Sequence, residues 1–295
     1  MGGSSGQIRP TNDGTAKPPQ LRFYLNLATL EDLPPWTDAP AGEPAKQSEK
    51  LIRAGYHGVQ SEQPDAYRPH GLGVAGLGRA NTPKEIFASA RRWGEAGYEC
   101  ATLHIGWGFE DDVEIMELAQ SVVCASKKFN IPLYIETHRA TITQDPWRTL
   151  QMIEKVPEIR LNGDFSHWYT GSEMIYGDFE HKLDLLLPVF ERVVFIHARA
   201  GNSGAMQVPL ADPSMRVAMQ HYREMWTRAM AGFLRNAGPG DYLIFSPELL
   251  RSSINYARRY RRSDGQWIED GDRWADSLEL LNVARECFES AQSSL

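Results

Sequence analysis

Cysteine is scarce in this chain. Cys100, Cys124 and Cys287 are the three among 295 residues, far apart and never in a Cys-x-x-Cys spacing. That excludes a disulfide framework and a thiolate metal site, and it reads as three buried thiols in a reducing compartment. Basic residues are in deficit as well: 31 Lys and Arg against 38 Asp and Glu leave a net charge of -7. A binder of nucleic acid is expected to carry a basic surface, so no nucleic-acid partner is expected. No uninterrupted apolar run approaches the roughly 18 residues of a bilayer span. The N-terminus lacks the basic-then-apolar order of a secretion signal. The expectation is a cytoplasmic protein with no membrane partner, homo-oligomerisation being left open. Internal repeats are missing too, and low complexity is confined to residues 1–20, which are rich in Gly, Ser, Thr and Pro and read as a flexible arm.

What is present fits one large core. A hydrophobic fraction of 42%, a charged fraction of 23% and eight tryptophans describe a globular chain. Its length suits a single α/β barrel, a fold of roughly 250 residues. From residue 21 onward, short apolar runs alternate with longer amphipathic ones. The runs cover 22–27, 58–60, 72–75, 101–105, 132–136, 160–164, 193–197 and 242–246, which makes eight. Helical patterns cover 44–54, 83–96, 111–129, 146–155, 178–190, 213–236 and 274–291, while 61–71 has none. Thr82-Pro83-Lys84-Glu85 and Asp145-Pro146 carry helix-start chemistry, and Gly55 and Gly97 suit left-handed C-caps. Eight strands with helical crossovers predict a closed (β/α)8 TIM barrel over 21–295 as one catalytic domain. An open doubly wound sheet would share much of this pattern. Long segments at 32–43 and 200–212 follow strands one and seven, where such loops form lids and substrate walls.

The chemistry lies at the strand ends. Pro132-Leu-Tyr-Ile-Glu-Thr-His-Arg139 is a buried-type run that breaks into a carboxylate, an imidazole and a guanidinium within four residues. Strand five thus ends at Glu136, strand six at Asp164 and strand seven at His197, and strand eight runs on to Glu248. In a closed barrel these ends converge. Carboxylates brought together in a semi-buried place need a cation to stay ionised, so one divalent metal held by Glu136, Asp164, His197 and Glu248 is predicted. Three carboxylates and one imidazole favour Mn, Mg or Co, with Zn compatible. His167 and Arg199 follow ligands by three and two positions and are candidates for contact with substrate, as is His104 at the end of strand four. Trp107 and Trp168 are candidate apolar platforms for a sugar ring. His138 and Arg139 are candidates to brace Glu136, and Tyr24 and Asn26 are placed in the barrel interior.

With Ile-Glu-Thr-His-Arg (135–139), Gly-Asp-Phe-Ser-His-Trp (163–168), Ile-His-Ala-Arg (196–199) and Ser-Pro-Glu (246–248) in this order, the chain resembles the xylose-isomerase-like TIM barrel superfamily. That superfamily includes sugar isomerases, ketose 3-epimerases, inosose dehydratase and metal-dependent apurinic endonucleases. The resemblance implies that Glu136 and Glu248 are both metal ligands and the catalytic acid/base pair, that Asp164 and His197 complete the ligand set, and that His167 and Arg199 touch substrate. The implied reaction is isomerisation or epimerisation of a sugar or polyol, by proton abstraction beside a carbonyl through an enediolate. A metal-dependent lyase acting on a keto-sugar, by dehydration or by β-elimination of a C- or O-glycoside, is the alternative. Two departures matter. The ketose 3-epimerases carry an arginine six residues after the histidine, where this chain has Ser203; and Gln60 stands where an acidic residue is common. The endonuclease branch needs further histidines on strand three and after strand seven, where Gly-Leu-Gly-Val-Ala-Gly and Ala-Asp-Pro-Ser supply none. A barrel that only binds sugar is disfavoured because all four ligand positions are filled.

Overall fold

Both faces of a parallel strand are covered when helices wrap the outside and side chains fill the inside, which is why the runs are apolar almost throughout. A computed structural model describes residues 7–295. In chain order the strands are β1 (Thr11–Asn12), β2 (Gln20–Asn26), β3 (Gly58–Gln60), β4 (Gly73–Ala80), β5 (Cys100–Ile105) and β6 (Leu133–Glu136). They continue with β7 (Arg160–Asn162), β8 (Val193–Ala198), β9 (Asp241–Pro247), β10 (Arg259–Arg261) and β11 (Trp267–Glu269). Strands β2 to β9 pair in parallel in sequence order, and β9 returns to β2 through Leu21↔Leu243 and Phe23↔Phe245. That pairing closes the eight-stranded barrel and excludes the open sheet. Leu25, Leu103, Leu133, Leu161 and Phe195 are wholly buried. Truncating one such leucine to alanine costs about 2–5 kcal/mol through lost transfer energy and the cavity left behind.

The crossover helices start where their caps are. Thr82 accepts from the Glu85 amide while the Glu85 carboxylate accepts from the Thr82 amide, a reciprocal box that opens the helix Pro83–Glu95. Asp145 caps Pro146–Lys155 by accepting from the Arg148 amide at 2.9 Å. Helix Asp112–Phe129 buries Ile115, Leu118 and Val122 against the sheet, and its outward face carries Cys124. The expectation of three buried thiols is therefore corrected: Cys100 and Cys287 are buried and Cys124 is exposed.

Other boundaries differ for identifiable reasons. Of the arm expected over 1–20, residues 1–6 lie outside the described residues, but from Gln7 onward the chain is docked. Ile8 is buried at the amino end of the barrel, its amide donates to Glu158, and Thr11 pairs with Tyr242 as β1. One apolar residue in a polar segment was enough to anchor it. Segment 61–71 holds a short helix, Pro64–Tyr67, and a 3-10 turn, Arg68–His70, begun by Pro64 and stopped by Gly71 at φ 87°. The helix expected over 178–190 is split into Phe179–Leu185 and Leu187–Phe190, the second carrying Pro188 in its first turn. Strand six ends at Asn162, not Asp164, because the pairing of β7 with β8 slips between Leu161 and Asn162.

Candidate metal centre

The carboxyl ends of β6 to β9 bring four side chains together. Glu136 is the last residue of β6, His197 lies in β8, Asp164 comes two residues after β7 and Glu248 directly after β9. One ligand atom from each of Glu136, Asp164, His197 and Glu248 lies within 4.8 Å of all the others, and all four residues are buried. Their supports are neutral amides. Asn162 donates to Glu136 Oε2 at 2.9 Å and accepts from the His197 amide at 2.9 Å, so the slipped register of β7 aims one side chain at two ligands. Asn26 donates to Glu248 Oε1 at 2.7 Å. Gln60 Oε1 meets His197 Nε2 at 2.8 Å, and the Gln60 amide group donates to Thr102 Oγ1 at 2.8 Å and to the Gly76 carbonyl. The Gln60 oxygen thus faces Nε2 and leaves Nδ1 pointing into the cluster. On the far side of the carboxylates, Ser166 donates to Asp164 Oδ1 at 2.6 Å.

Charge is balanced by burial against neighbours. Burial works against the ionised Glu136, but the imidazoles of His104 and His197 hold its carboxyl well below the ordinary range. Burial likewise opposes the charge on Asp164, and Arg199 and His167 overcome it, so this carboxyl also lies far below its usual value. His197 is pushed up to about 9: burial disfavours its cation, and Glu248 and Glu136 outweigh that. Its Nδ1 stands 3.1 Å from Glu136 Oε2 and 3.5 Å from Glu248 Oε2. Three buried atoms, Glu136 Oε1, Asp164 Oδ2 and His197 Nδ1, nevertheless lack any hydrogen bond of good geometry. Buried polar atoms without a partner, converging from three of the four residues, are what a divalent cation would satisfy once His197 gives up its proton, so the donor set fits a metal.

Around the cluster, His104 Nε2 sits 3.0 Å from Glu136 Oε1, and Arg199 pairs with the Glu248 carboxylate and approaches Asp164 Oδ2 at 3.4 Å. His167 Nε2 also reaches Asp164 Oδ2 at 3.4 Å from the short helix Ser166–Gly171. The structure therefore brings His104, His167 and Arg199 against the four predicted ligands. His138 lies between His104 and His167 with ring centroids 4.0 and 3.9 Å away and the rings tilted by 33° and 49°. Burial and the neighbouring His167 lower its pKa to about 3, so it is neutral. Trp168 is a core residue whose indole donates to Thr143, not a platform. Trp107 stays outside the cluster, 59% exposed on the loop after β5. Tyr24 lies at the amino end of the barrel, away from the cluster, where it hydrogen-bonds Glu99.

Three residues escaped the sequence reading or were underrated there. Asn162 was hidden inside an apolar run, although its spacing of two from Asp164 places both on one side of the chain. Gln60 was noted only as a departure. Tyr256, over whose ring Arg199 sits at 4.5 Å, belongs to the segment between β9 and the last helix, Arg273–Ser293. Its surroundings are unusual in an acidic protein: five arginines and no acidic residue over 251–262. That was the available signal.

No family model matches the chain, and no curated protein matches it in sequence. Solved structures do match in fold. A D-tagatose 3-epimerase-like protein superposes with a TM-score of 0.56 at 10% identity, over 93% of this chain and 99% of that one. A xylose isomerase-like TIM barrel protein from Mycobacterium smegmatis, solved in complex with magnesium, gives 0.54 at 14% identity, covering 92% and 97%. A probable 3-DHS dehydratase involved in petrobactin synthesis from Bacillus anthracis gives 0.52 at 14% identity, covering 79% and 94%. At these identities the likeness is one of fold: the chain has a (β/α)8 barrel.

Proposed function

We propose that this chain is a divalent-metal-dependent enzyme that moves a proton beside the carbonyl of a sugar or polyol, as an isomerase or epimerase. The observation that carries the reading is the convergence of Glu136, Asp164, His197 and Glu248 with three orphaned buried ligand atoms. A bound Mn, Mg, Co or Zn ion would supply Lewis acidity, polarising a carbonyl oxygen and acidifying the adjacent C-H. The protein's own residues do the rest. Glu136 and Glu248 reach the cluster from strands separated by β7 and β8, so one carboxylate takes the proton and the other returns it from a different side. Arg199 holds Glu248 in place and, with His167 and His104, offers donors to substrate oxygens. Burial of the whole constellation excludes water and strengthens each of these contacts. Trp107, on the rim, is assigned to the substrate wall.

A lyase that eliminates a β-substituent shares the first proton abstraction, and the dehydratase among the fold neighbours favours keeping it as the second reading. Metal analysis of protein purified without chelator should give close to one divalent ion per chain. Protein that is metal-free and indifferent to added Mn, Mg, Co or Zn would sink the proposal. Keto-sugars in deuterated water then separate the readings: solvent deuterium in an intact sugar marks epimerisation, and loss of water or of an aglycone marks the lyase.

A further inference from the structure

Beside the cluster, the carboxyl face carries a cleft of about 360 Å³ walled by Arg139, Thr170, Met206, Asn255, Tyr256 and Arg259. We propose that this cleft is a subsite for an anionic group, a phosphate or a carboxylate, gripped by the guanidinium groups of Arg139 and Arg259. Elsewhere in the 251–262 segment the chain pairs arginines with carboxylates: Arg251 with Glu31 and Asp32, Arg258 with Asp212 and Asp270, Arg262 with Asp264. Among the described residues Arg139 and Arg259 have no carboxylate partner and both border the cleft, Arg259 with its guanidinium carbon 5.1 Å from the centroid of the Trp267 ring. Each presents a planar fork that matches a phosphate or carboxylate in two-pronged fashion. Together they give a locally positive site on a protein of net charge -7.

The geometry ties this cleft to the reacting centre. The guanidinium carbon of Arg139 lies 5.3 Å from the Tyr256 ring centroid and that of Arg199 lies 4.5 Å from the same centroid. Arg199 in turn pairs with Glu248, so a single aromatic ring separates the cleft from the cluster. Two non-glycine residues with left-handed backbone flank these walls: Ala140 at φ 52° beside Arg139, and Asn255 at φ 64° beside Tyr256. Alanine in this region is costly and persists only where its surroundings impose it, here with Arg79 donating to the Ala140 carbonyl at 3.1 Å. Asn255 closes the 3-10 turn Ser252–Ile254, its amide donating to the Ser252 carbonyl, and so sets where Tyr256 leaves that turn, while the strained Ala140 directly follows Arg139. The subsite rests on the proposed function in one respect: that reading makes the anion a substituent of the substrate.

Titration calorimetry of the full chain with inorganic phosphate, and separately with acetate, at constant ionic strength tests it. Saturable phosphate binding is expected, weakened about tenfold or more by R139Q and by R259Q, since each removes one charge-assisted fork. R261Q should leave it unchanged, because Arg261 is exposed and turned back on Gly265. The same sensitivity with acetate but not phosphate would assign a carboxylate. No saturable binding of either anion, or binding that R139Q and R259Q leave intact, overturns the subsite. Repeating the titration on D164N separates it from the metal reading. Phosphate binding that persists there and still depends on Arg139 supports the subsite even if the cluster takes no metal, whereas binding lost in D164N but retained in R139Q belongs to the metal and overturns it.

Discussion

At the amino end of the barrel Glu99 hydrogen-bonds the hydroxyl of Tyr24, beneath Gly58 and Gly73, where any side chain would collide with the Tyr24 ring or hydroxyl. Burial raises its pKa, and Tyr24 is raised too, by burial and by Glu99. At the carboxyl end Glu136 is more deeply buried, yet its pKa is driven down by His104 and His197. The same functional group, in the same barrel, is pushed toward neutrality at one end and toward ionisation at the other. Nothing about a glutamate distinguishes the two in advance. At the amino end burial wins over the Tyr24 phenol and the arginines Arg22 and Arg68, which only partly offset it; at the carboxyl end the imidazoles of His104 and His197 overcome the same penalty. The first arrangement packs, and the second stores the charge that a cation and a reacting proton require.

The contrast is broken hardest by exchanging carboxylates for amides. Glu248→Gln should lower turnover about 10³-fold, within the range for removing a positioned acid or base, while Glu99→Gln should leave it within about twofold. Steady-state rates on any accepted keto-sugar check both, and equal losses would erase the distinction between the two ends. Metal uptake sharpens it next. Ligation needs a neutral imidazole, and His197 is held protonated up to about 9, so apparent metal affinity should climb about tenfold per pH unit below that value and level off above it. Titrations between pH 6 and pH 10 would show the slope, and a flat profile would remove His197 from the ligand set. Asn162→Ala comes third. It deprives Glu136 and the His197 amide of one shared partner, and metal affinity should fall about 10- to 100-fold with the barrel still folded. The smallest effect belongs to the amino end. A carboxyl whose folded pKa is raised contributes stability below its unfolded value near 4.5 and loses it as pH rises through the folded value. The stability of Glu99→Gln relative to the parent should therefore improve as pH is raised from 4 to 8, and denaturant melts at those two values would reveal a constant difference if Glu99 were ionised throughout.

Much of the barrel could be read from the chain. The eight runs fall on β2 to β9 because a strand buried on both faces leaves a continuous apolar signature, and the caps at Thr82 and Asp145 are local chemistry within four residues. Glu136, Asp164, His197 and Glu248 stood out because each interrupts or ends such a run with a polar group. The segments that escaped did so for equally physical reasons. Residues 7–12 contain one apolar anchor, Ile8, and only contact with Glu158 and Tyr242 makes a strand of Thr11–Asn12. The hairpin of β10 and β11 is three residues a side, with β10 fully exposed and the buried residue of β11 the charged Glu269, so it carries no apolar burial pattern. Asn162 sits in a run whose end was displaced by a slipped register, a property of two strands together.

By itself, then, the sequence determined which residues could be ligands, the number of strands, and which strand delivers each of these four side chains, since these depend on local pattern and on order along the chain. Tertiary structure alone decided their charge and company. The descent of Glu136 and Asp164, the rise of His197 and the placing of His138 between two imidazoles follow from groups far apart in sequence and brought within a few ångströms by barrel closure. So does the approach of Arg139 and Arg199 to the ring of Tyr256. Electrostatic energies in a buried site scale with distance and local dielectric, and both are set only once the strands have closed.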